Sequence, residues 1–227
     1  STTDSGSVSK GSNPLSPVHP GPVPGFFLLP TARSNVNEPV LAFLERRRSA
    51  SLKSLGEPGP DAAQLDRLLR IASRVPDHGA LAPWRFIVIQ GTARATFADL
   101  VAEALRPSQP DEAIIAEARQ RAAQAPLIIA AVASPKPHAK IPEFEQTLSL
   151  GAACMNLLSA ATAMGFGAVW LTPRYTRDPG LLHALGIAPP EQIAGMLFIG
   201  STLEPRADRE RPDLARIVSH FGRETTG

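Results

Sequence analysis

The chain has 227 residues, of which 43% are hydrophobic and 19% charged, and its formal net charge is +2. That length can bury a full hydrophobic core and is typical of one domain, or at most two. The small net charge and the 5% aromatic content exclude a basic, base-stacking surface, so we expect no nucleic-acid partner. The single cysteine, Cys154, excludes an intrachain disulfide framework and a thiolate metal cluster.

The chain also lacks the patterns of membrane, secreted and metal-binding proteins. Its apolar runs are far shorter than the roughly 20 residues of a transmembrane helix, and the N-terminus has no apolar signal segment. The five histidines show no metal-ligand spacing. We therefore expect a cytoplasmic protein without a membrane partner or a metal, in which Cys154 is a buried structural thiol.

The first 37 residues form a Pro-, Ser- and Gly-rich extension, which cannot bury enough apolar surface to fold alone. Within it, residues 26–29 are apolar, and we expect them to dock as an extended arm on the folded body or on a partner subunit. Residues 38–227 form the folded domain.

Helices and strands interleave along this domain. Apolar residues at helical spacing predict helices over residues 38–48, 61–75, 93–105, 111–124, 143–164 and 179–185. Apolar or alternating runs predict strands over residues 84–90, 126–133, 167–171 and 193–199. Helix 143–164 is apolar almost all round, which predicts a long buried central helix, ended by Gly165. The order lacks a regular βαβ rhythm, so we predict an α+β fold.

The common nucleotide and hydrolase motifs are absent from the sequence. There is no G-x-G-x-x-G after a strand and no G-x-x-x-x-G-K-[ST], which argues against Rossmann and P-loop nucleotide sites. There is likewise no G-x-S-x-G and no H-E-x-x-H. Any chemistry must come from other residues.

Clustered cations appear at two places in the chain. Residues 46–49, three arginines and a serine, close the first predicted helix, and such groups are usual ligands of a phosphate. The alternative is a solvated helix C-terminus, where the dipole favours cations. Near the C-terminus, Arg206, Arg209 and Arg211 would either close on the same phosphate or form a basic tail.

A third motif is the turn that leads into the strand 84–90. It is constrained by Pro76 and Pro83, and it carries Asp77 and His78 beside that strand. Taken alone, His78 is more typical of a surface turn than of a functional site.

These motifs, in this order, resemble the FMN-dependent nitroreductase family. The matching segments are Arg47-Arg48-Ser49, Pro76-Asp77-His78 with Pro83-Trp84-Arg85-Phe86, residues 165–170, and Gly200 with Arg209 and Arg211-Pro212. The Pro-Asp-His turn and residues 141–146 are similar to the compact subgroup of that family. The match extends over residues 38–221.

The resemblance implies a nitroreductase-like fold, in which helices flank a mainly antiparallel sheet. It also implies an intertwined homodimer with FMN at the subunit interface. The phosphate and the pyrimidine edge would be held by Arg47, Arg48, Ser49, Ser51, Arg209 and Arg211. From the other subunit, Pro76, Asp77 and His78 would approach the flavin. The ring would be lined by Val169, Trp170, Leu171 and Thr172. The family often has a basic residue at the position of Ser51, whereas the next basic residue here is Lys53.

The same resemblance implies the chemistry. Flavin N5 accepts a hydride from NAD(P)H and later delivers it, so no side chain is assigned as catalytic. Because donor and acceptor occupy the same flavin face in turn, ping-pong kinetics are expected. We predict a nitroaromatic acceptor in a pocket shaped by His78, Phe144, Trp170 and Tyr175. For Phe144 and Trp170, core packing is an equal alternative.

Other functions stay open on the same scaffold. One is a flavin or quinone reductase or a reductive dehalogenase, and another is a flavin-binding regulatory protein with little turnover. A third is a noncatalytic dimer that has lost flavin binding, which the presence of Arg47, Ser49 and His78 argues against.

Overall fold

The computed structural model describes residues 36–109, 111–204 and 207–222. The chain divides into two units, Ser1–Glu38 and Pro39–Gly227, and the sheet with its helices belongs to the second. The arm predicted at residues 26–29 lies outside the described residues, as does Arg206.

Four antiparallel strands, within the described part of the chain, form one sheet in the spatial order β1-β2-β4-β3. They are β1 (Trp84–Gln90), β2 (Leu127–Ala133), β3 (Gly167–Leu171) and β4 (Gln192–Gly200). The inner strand β2 is buried on both faces, as its uninterrupted apolar sequence predicts. The predicted α+β class and the antiparallel sheet are confirmed.

Helices cover both faces of this sheet. On one face lie α2 (Ala62–Ala72) and α5 (Glu143–Ala163). On the other lie α3 (Ala93–Leu105), α4 (Glu112–Ala122) and α6 (Pro179–Ala184). Among the described residues, those of α1 (Glu38–Arg46) and α7 (Leu214–Ile217) are all at least partly exposed.

Helix α5 has one buried side and one apolar side that faces solvent. Gly165, with φ of 88°, follows its end and allows the chain to reverse, as predicted. Its buried side packs on the sheet, which confirms the long central helix. Phe144, Leu148 and Met155, however, are exposed. The sequence predicted burial on several sides, but within one chain this stripe is uncovered.

Helix α2 leads directly into the turn at residues 76–78. It begins with a capping box in which Asp61 accepts a hydrogen bond from the amide of Gln64 at 2.8 Å. It packs against α5, where Asn156 Nδ2 donates to the carbonyl of Arg74 at 2.9 Å. This hydrogen bond fixes the chain after α2 against α5.

Arg85, a residue of the Pro-Trp-Arg-Phe segment, has a structural contact. Its guanidinium group donates to both carboxylate oxygens of Glu191, at 2.8 and 2.6 Å, and to the carbonyl of Gly186 at 2.8 Å. These hydrogen bonds hold the pKa of Glu191 below its usual value. They tie edge strand β1 to the loop before β4, so we assign Arg85 to stability.

Candidate functional site

A cleft of about 510 Å3 opens beside β3, and half of the residues that line it are basic. Four of the arginines predicted to hold a phosphate meet here although they come from distant parts of the chain. They are Arg47, Arg48, Arg209 and Arg211. The predicted residues Ser49, Ser51, Val169 and Leu171 complete one side of the lining. The volume lies within the range of cofactor sites, about 300 to 1,000 Å3. We call it the arginine cleft.

The arginine cleft forms because the chain leaves α1 and runs against β3. The sequence predicted a helix to residue 48, but α1 ends at Arg46. The amide of Ala50 instead donates to the carbonyl of Ala168 at 2.9 Å, and Ala50 is buried. Gly167 permits this approach, since an added Cβ would lie 2.7 Å from Leu55 Cδ2. The prediction was wrong at this end because a long-range hydrogen bond, not a local signal, ends the helix.

Arg47 has one enclosed guanidinium nitrogen in the cleft. Its Nη1 atom is buried and has no hydrogen-bond partner among the described residues. Burial lowers the pKa of the guanidinium group, and the neighbouring charges of Arg211 and Arg48 lower it further. A partly buried cation crowded by two other arginines is stabilised by an anion. The residues present therefore fit a phosphate group.

The C-terminal segment closes one side of the cleft through Asp208. This carboxylate lies 2.9 Å from Arg211 Nη2 and 3.8 Å from Arg48 Nε. Arg48 Nε also donates to the carbonyl of Ala207 at 3.3 Å. The pKa of Asp208 is lowered first by the backbone amide of Arg209 and then by Arg211. These contacts bring both Arg209 and Arg211 to the cleft.

Two further cations line the cleft and were not assigned from the sequence. Lys53 lies in the 3-10 turn Leu52–Ser54, and Arg121 lies near the end of α4. Arg121 is ion-paired with Glu117 on the same helix. In sequence, Arg121 is one basic residue in the last turn of a helix, a common pattern that carries no signal of a ligand site.

The Pro76-Asp77-His78 turn is held against α5, away from this cleft. Ser149 Oγ donates to the carbonyl of Pro76 at 2.5 Å, and His78 Nδ1 lies 2.8 Å from Glu145 Oε2. Within the described residues, none of the three turn residues lines the arginine cleft. A single chain therefore does not bring the two predicted halves of the site together.

The backbone just after His78 is strained. Ala80 and Ala82 have φ of 51° and 45°, in the left-handed region that favours glycine. The carboxylate of Asp77 stabilises this conformation by accepting a hydrogen bond from the amide of Ala82 at 2.8 Å. Such strain is common where a turn is shaped for function. In this structure Asp77 therefore stabilises the turn to which it belongs.

The four consecutive residues predicted to line a flavin ring do not point the same way. Side chains alternate along β3, so Val169 and Leu171 face the arginine cleft while Trp170 faces α5. The Trp170 indole covers Gly195 and lines a separate cavity of about 340 Å3 with Glu143. The side chains of Val169 and Trp170 thus lie on opposite faces of the sheet, and the contact of Trp170 with a flavin stays a prediction.

The structure also separates the other predicted ring and acceptor contacts. Thr172 Oγ1 donates to the carbonyl of Ala194 at 3.3 Å, where the pairing of β2 and β4 shifts register. Tyr175 is 8% exposed and packs edge-on against Phe97, on the face opposite Trp170. Phe144 is 71% exposed on α5. The roles of these side chains toward an acceptor stay predictions.

Cys154 is buried, as expected, and burial raises the pKa of its thiol to about 12. In the described part of the chain, no group of three or more His, Cys, Asp or Glu side chains is arranged to hold a metal. None of the helices in the described ranges has the length and apolarity that a bilayer crossing requires.

Solved structures share this fold, among them two bacterial proteins. The nitroreductase-like family protein from Bacillus cereus is 20% identical, has a TM-score of 0.70, and matches 86% of this chain and 100% of its own. A Desulfovibrio desulfuricans protein, provisionally called a nitroreductase and solved in complex with FMN, is 24% identical with a TM-score of 0.62. That match covers 80% of this chain and 96% of the other. The predicted nitroreductase-like fold is confirmed.

Sequence comparison defines the family. The Escherichia coli (strain K12) protein provisionally named NAD(P)H nitroreductase YdjA is 36% identical over 182 residues, which are 80% of this chain and 98% of that protein. The model of the Nitroreductase family matches residues 44–201, a range that includes the arginines after α1, the Pro-Asp-His turn and β3. This chain therefore belongs to the nitroreductase family.

Proposed function

We propose that this protein is a homodimeric, NAD(P)H-dependent flavoenzyme that binds FMN and reduces nitroaromatic compounds. One observation carries the proposal: Arg47 Nη1 is buried without a partner among the described residues, beside Arg48 and Arg211. The phosphate of FMN is an anion that would satisfy it. Membership of the nitroreductase family and the FMN complex of the Desulfovibrio relative support FMN as the ligand. A cytoplasmic location, where NAD(P)H is available, is part of the proposal.

Each side of the arginine cleft suits a different part of FMN. Arg47, Arg48 and Arg211 would bind the phosphate, with Arg209 adding positive charge. The hydroxyls of Ser49 and Ser51 would donate to the polar edge of the cofactor, while Val169 and Leu171 present an apolar wall. When bound, FMN supplies hydride transfer between NAD(P)H and the acceptor. These side chains bind and orient, and ping-pong kinetics follow if donor and acceptor use one site in turn.

A second copy of the chain would complete the site. Phe144, Leu148 and Met155 expose an apolar stripe on α5, and such stripes on a single chain are typical of subunit interfaces. The Pro76-Asp77-His78 turn lies beside this stripe through the contact of His78 with Glu145. We infer that the turn of one subunit meets the arginine cleft of the other, and that His78, Phe144 and Trp170 contact the aromatic acceptor.

The first experiment is an absorbance scan of the purified full chain, followed by anaerobic NADH or NADPH and then a nitroarene. We expect a flavin spectrum that bleaches with the donor and returns with the nitroarene. Recovery with free FMN or a quinone but not with a nitroarene would instead assign a flavin or quinone reductase. Bound flavin that neither donor bleaches would indicate a flavin-binding protein with little turnover, and a protein that stays colourless with added FMN would refute the site.

A mixed dimer tests whether the site is shared between subunits. Arg47→Met removes a phosphate contact and His78→Ala removes the turn side chain, so each homodimer should lose most of its activity. A heterodimer with one change in each subunit should recover about half of the wild-type rate, because one of its two sites contains both native residues. If each chain instead forms a complete site, the heterodimer will show no recovery. A heterodimer with both changes in the same subunit is the matched control.

A further inference from the structure

A second cavity, of about 310 Å3, adjoins the arginine cleft on the same face of the sheet. Leu52, Arg121 and Leu171 line both, so the two cavities are adjacent. We propose that this cavity binds the adenine ring of NADPH and that Arg121 and Arg174 bind its 2′-phosphate, so that the protein prefers NADPH to NADH. The inference rests on the proposed function, since it names the donor that the reductase uses. We call this cavity the adenine pocket.

The walls of the adenine pocket suit a flat, apolar ring. Leu105, Ile114 and Ala118 form one side, and Pro173 and Tyr175 form the other. Packing against Phe97, at a centroid distance of 6.1 Å, holds the Tyr175 ring in place, so this wall is preformed. Ile114 is 47% exposed, which leaves the pocket open to solvent. A preformed, mainly apolar site with a few polar groups is typical of cofactor binding.

The charged groups of the pocket suit a phosphate. Arg121 and Arg174 are both exposed, and both line this cavity. A phosphate monoester carries roughly −1.5 to −2 charges near neutral pH and accepts charge-assisted hydrogen bonds, to which planar guanidinium groups are well matched. NADPH differs from NADH by one such group, attached to the adenosine ribose.

The arginine cleft also has more positive charge than one phosphate neutralises. Its basic side chains are Arg47, Arg48, Lys53, Arg121, Arg209 and Arg211. The carboxylate of Asp208 offsets part of this charge near Arg48 and Arg211, and Glu117 offsets part of it at Arg121. A single FMN phosphate, with about two negative charges, leaves an excess. The excess favours a second phosphate close to the arginine cleft.

Glu117 and Arg174 should have opposite effects on the binding of a 2′-phosphate. Glu117 lines the adenine pocket and is ion-paired with Arg121, so a 2′-phosphate must compete with this carboxylate. Removing the carboxylate should strengthen binding of the 2′-phosphate, whereas removing Arg174 should weaken it. NADH has no group that makes either contact, so its binding should respond less to both changes.

The test measures binding to the FMN-loaded full chain by calorimetry, with adenosine 2′,5′-bisphosphate and 5′-AMP as probes. The bisphosphate should bind about 5- to 30-fold more tightly, since each of the two exposed arginine contacts contributes up to roughly 1 kcal/mol, a factor of about five. Arg174→Gln should reduce this preference, and Glu117→Gln should increase it, each by about two- to fivefold. Arg119→Gln is the matched control, since Arg119 is an exposed, ion-paired arginine on the same helix that lines neither cavity.

Each contrary result has a defined meaning. Equal affinity for the two probes in FMN-loaded protein would overturn the adenine pocket and leave the reductase proposal standing. Displacement of the bisphosphate by an equal concentration of inorganic phosphate would also overturn it, because the site would then be a general anion site. A protein that binds no FMN would refute the proposed function instead. The KM ratio of NADH to NADPH should change in the same direction as the probe preference in both variants.

Discussion

Replacing Arg47 with methionine should weaken FMN binding about 10- to 100-fold and raise the melting temperature of the flavin-free protein. The first effect follows from losing a charge-assisted hydrogen bond to the phosphate, which contributes about 1.5–3 kcal/mol. The second follows because Arg47 Nη1 is buried without a partner among the described residues, and because Arg48 and Arg211 repel the guanidinium group. FMN fluorescence titration and calorimetry of the flavin-free protein would measure the two effects.

Arg46→Met is the matched control for this prediction. Arg46 is exposed, its Nε donates to the carbonyl of Ala42 at 3.0 Å, and it does not line the arginine cleft. It should therefore change neither FMN affinity nor the melting temperature by a comparable amount. If the two variants lose FMN affinity equally, the loss is due to removing any positive charge from this region, and the assignment of Arg47 to the phosphate is wrong. If Arg47→Met lowers the flavin-free melting temperature, the cation has a partner that stabilises it.

Replacing Gly195 with alanine should destabilise the protein by about 3 kcal/mol, the range of an overpacked core position. The added Cβ would lie 1.7 Å from Trp170 Nε1 and 2.4 Å from Cδ1, well inside contact distance. The indole is rigid and lies between the sheet and α5, so either the ring or strand β4 must move. Urea denaturation of the variant, followed by tryptophan fluorescence, would measure the loss.

A double variant separates steric conflict from other causes. Trp170→Leu alone should cost stability through lost packing, but combined with Gly195→Ala it should cost less than the sum of the two single changes. A coupling energy of about 1 kcal/mol or more would identify the indole as the obstacle. Additive losses would mean that the alanine is unfavourable for the strand itself, and an unchanged stability of Gly195→Ala would mean that the indole is free to turn away.

The strands were well predicted because each is an apolar run with a clear local boundary. The predicted limits of β1 and β3 agree with the structure at both ends, and Gly91 and Gly165 mark the breaks beside them. The end of α1 was not predicted correctly. Residues 47 and 48 suit a helix locally, but the hydrogen bond of Ala50 to Ala168, more than a hundred residues away, draws the chain out of it.

The candidate site was predicted in part. Arg47, Arg48, Arg209 and Arg211 stand out as clustered cations, and all four reach the same cleft. Arg121 was not predicted, because the sequence around a single arginine at the end of a helix does not indicate whether it binds a ligand. Side chains alternate between the two faces of the strand that contains Trp170, which the sequence predicts. The sequence does not show which of these faces lies next to the arginines.

The sequence by itself determined the strands, most of the helices, the charge of the phosphate-binding arginines and the family to which the chain belongs. These depend on local periodicity, on residue type and on motif order. Only the tertiary structure decided that Arg121 joins the arginine cleft, that Trp170 faces α5, and that the His78 turn lies apart from the arginines of its own chain. The physical reason is that these placements depend on hydrogen bonds and packing between segments distant in sequence, which no local pattern encodes.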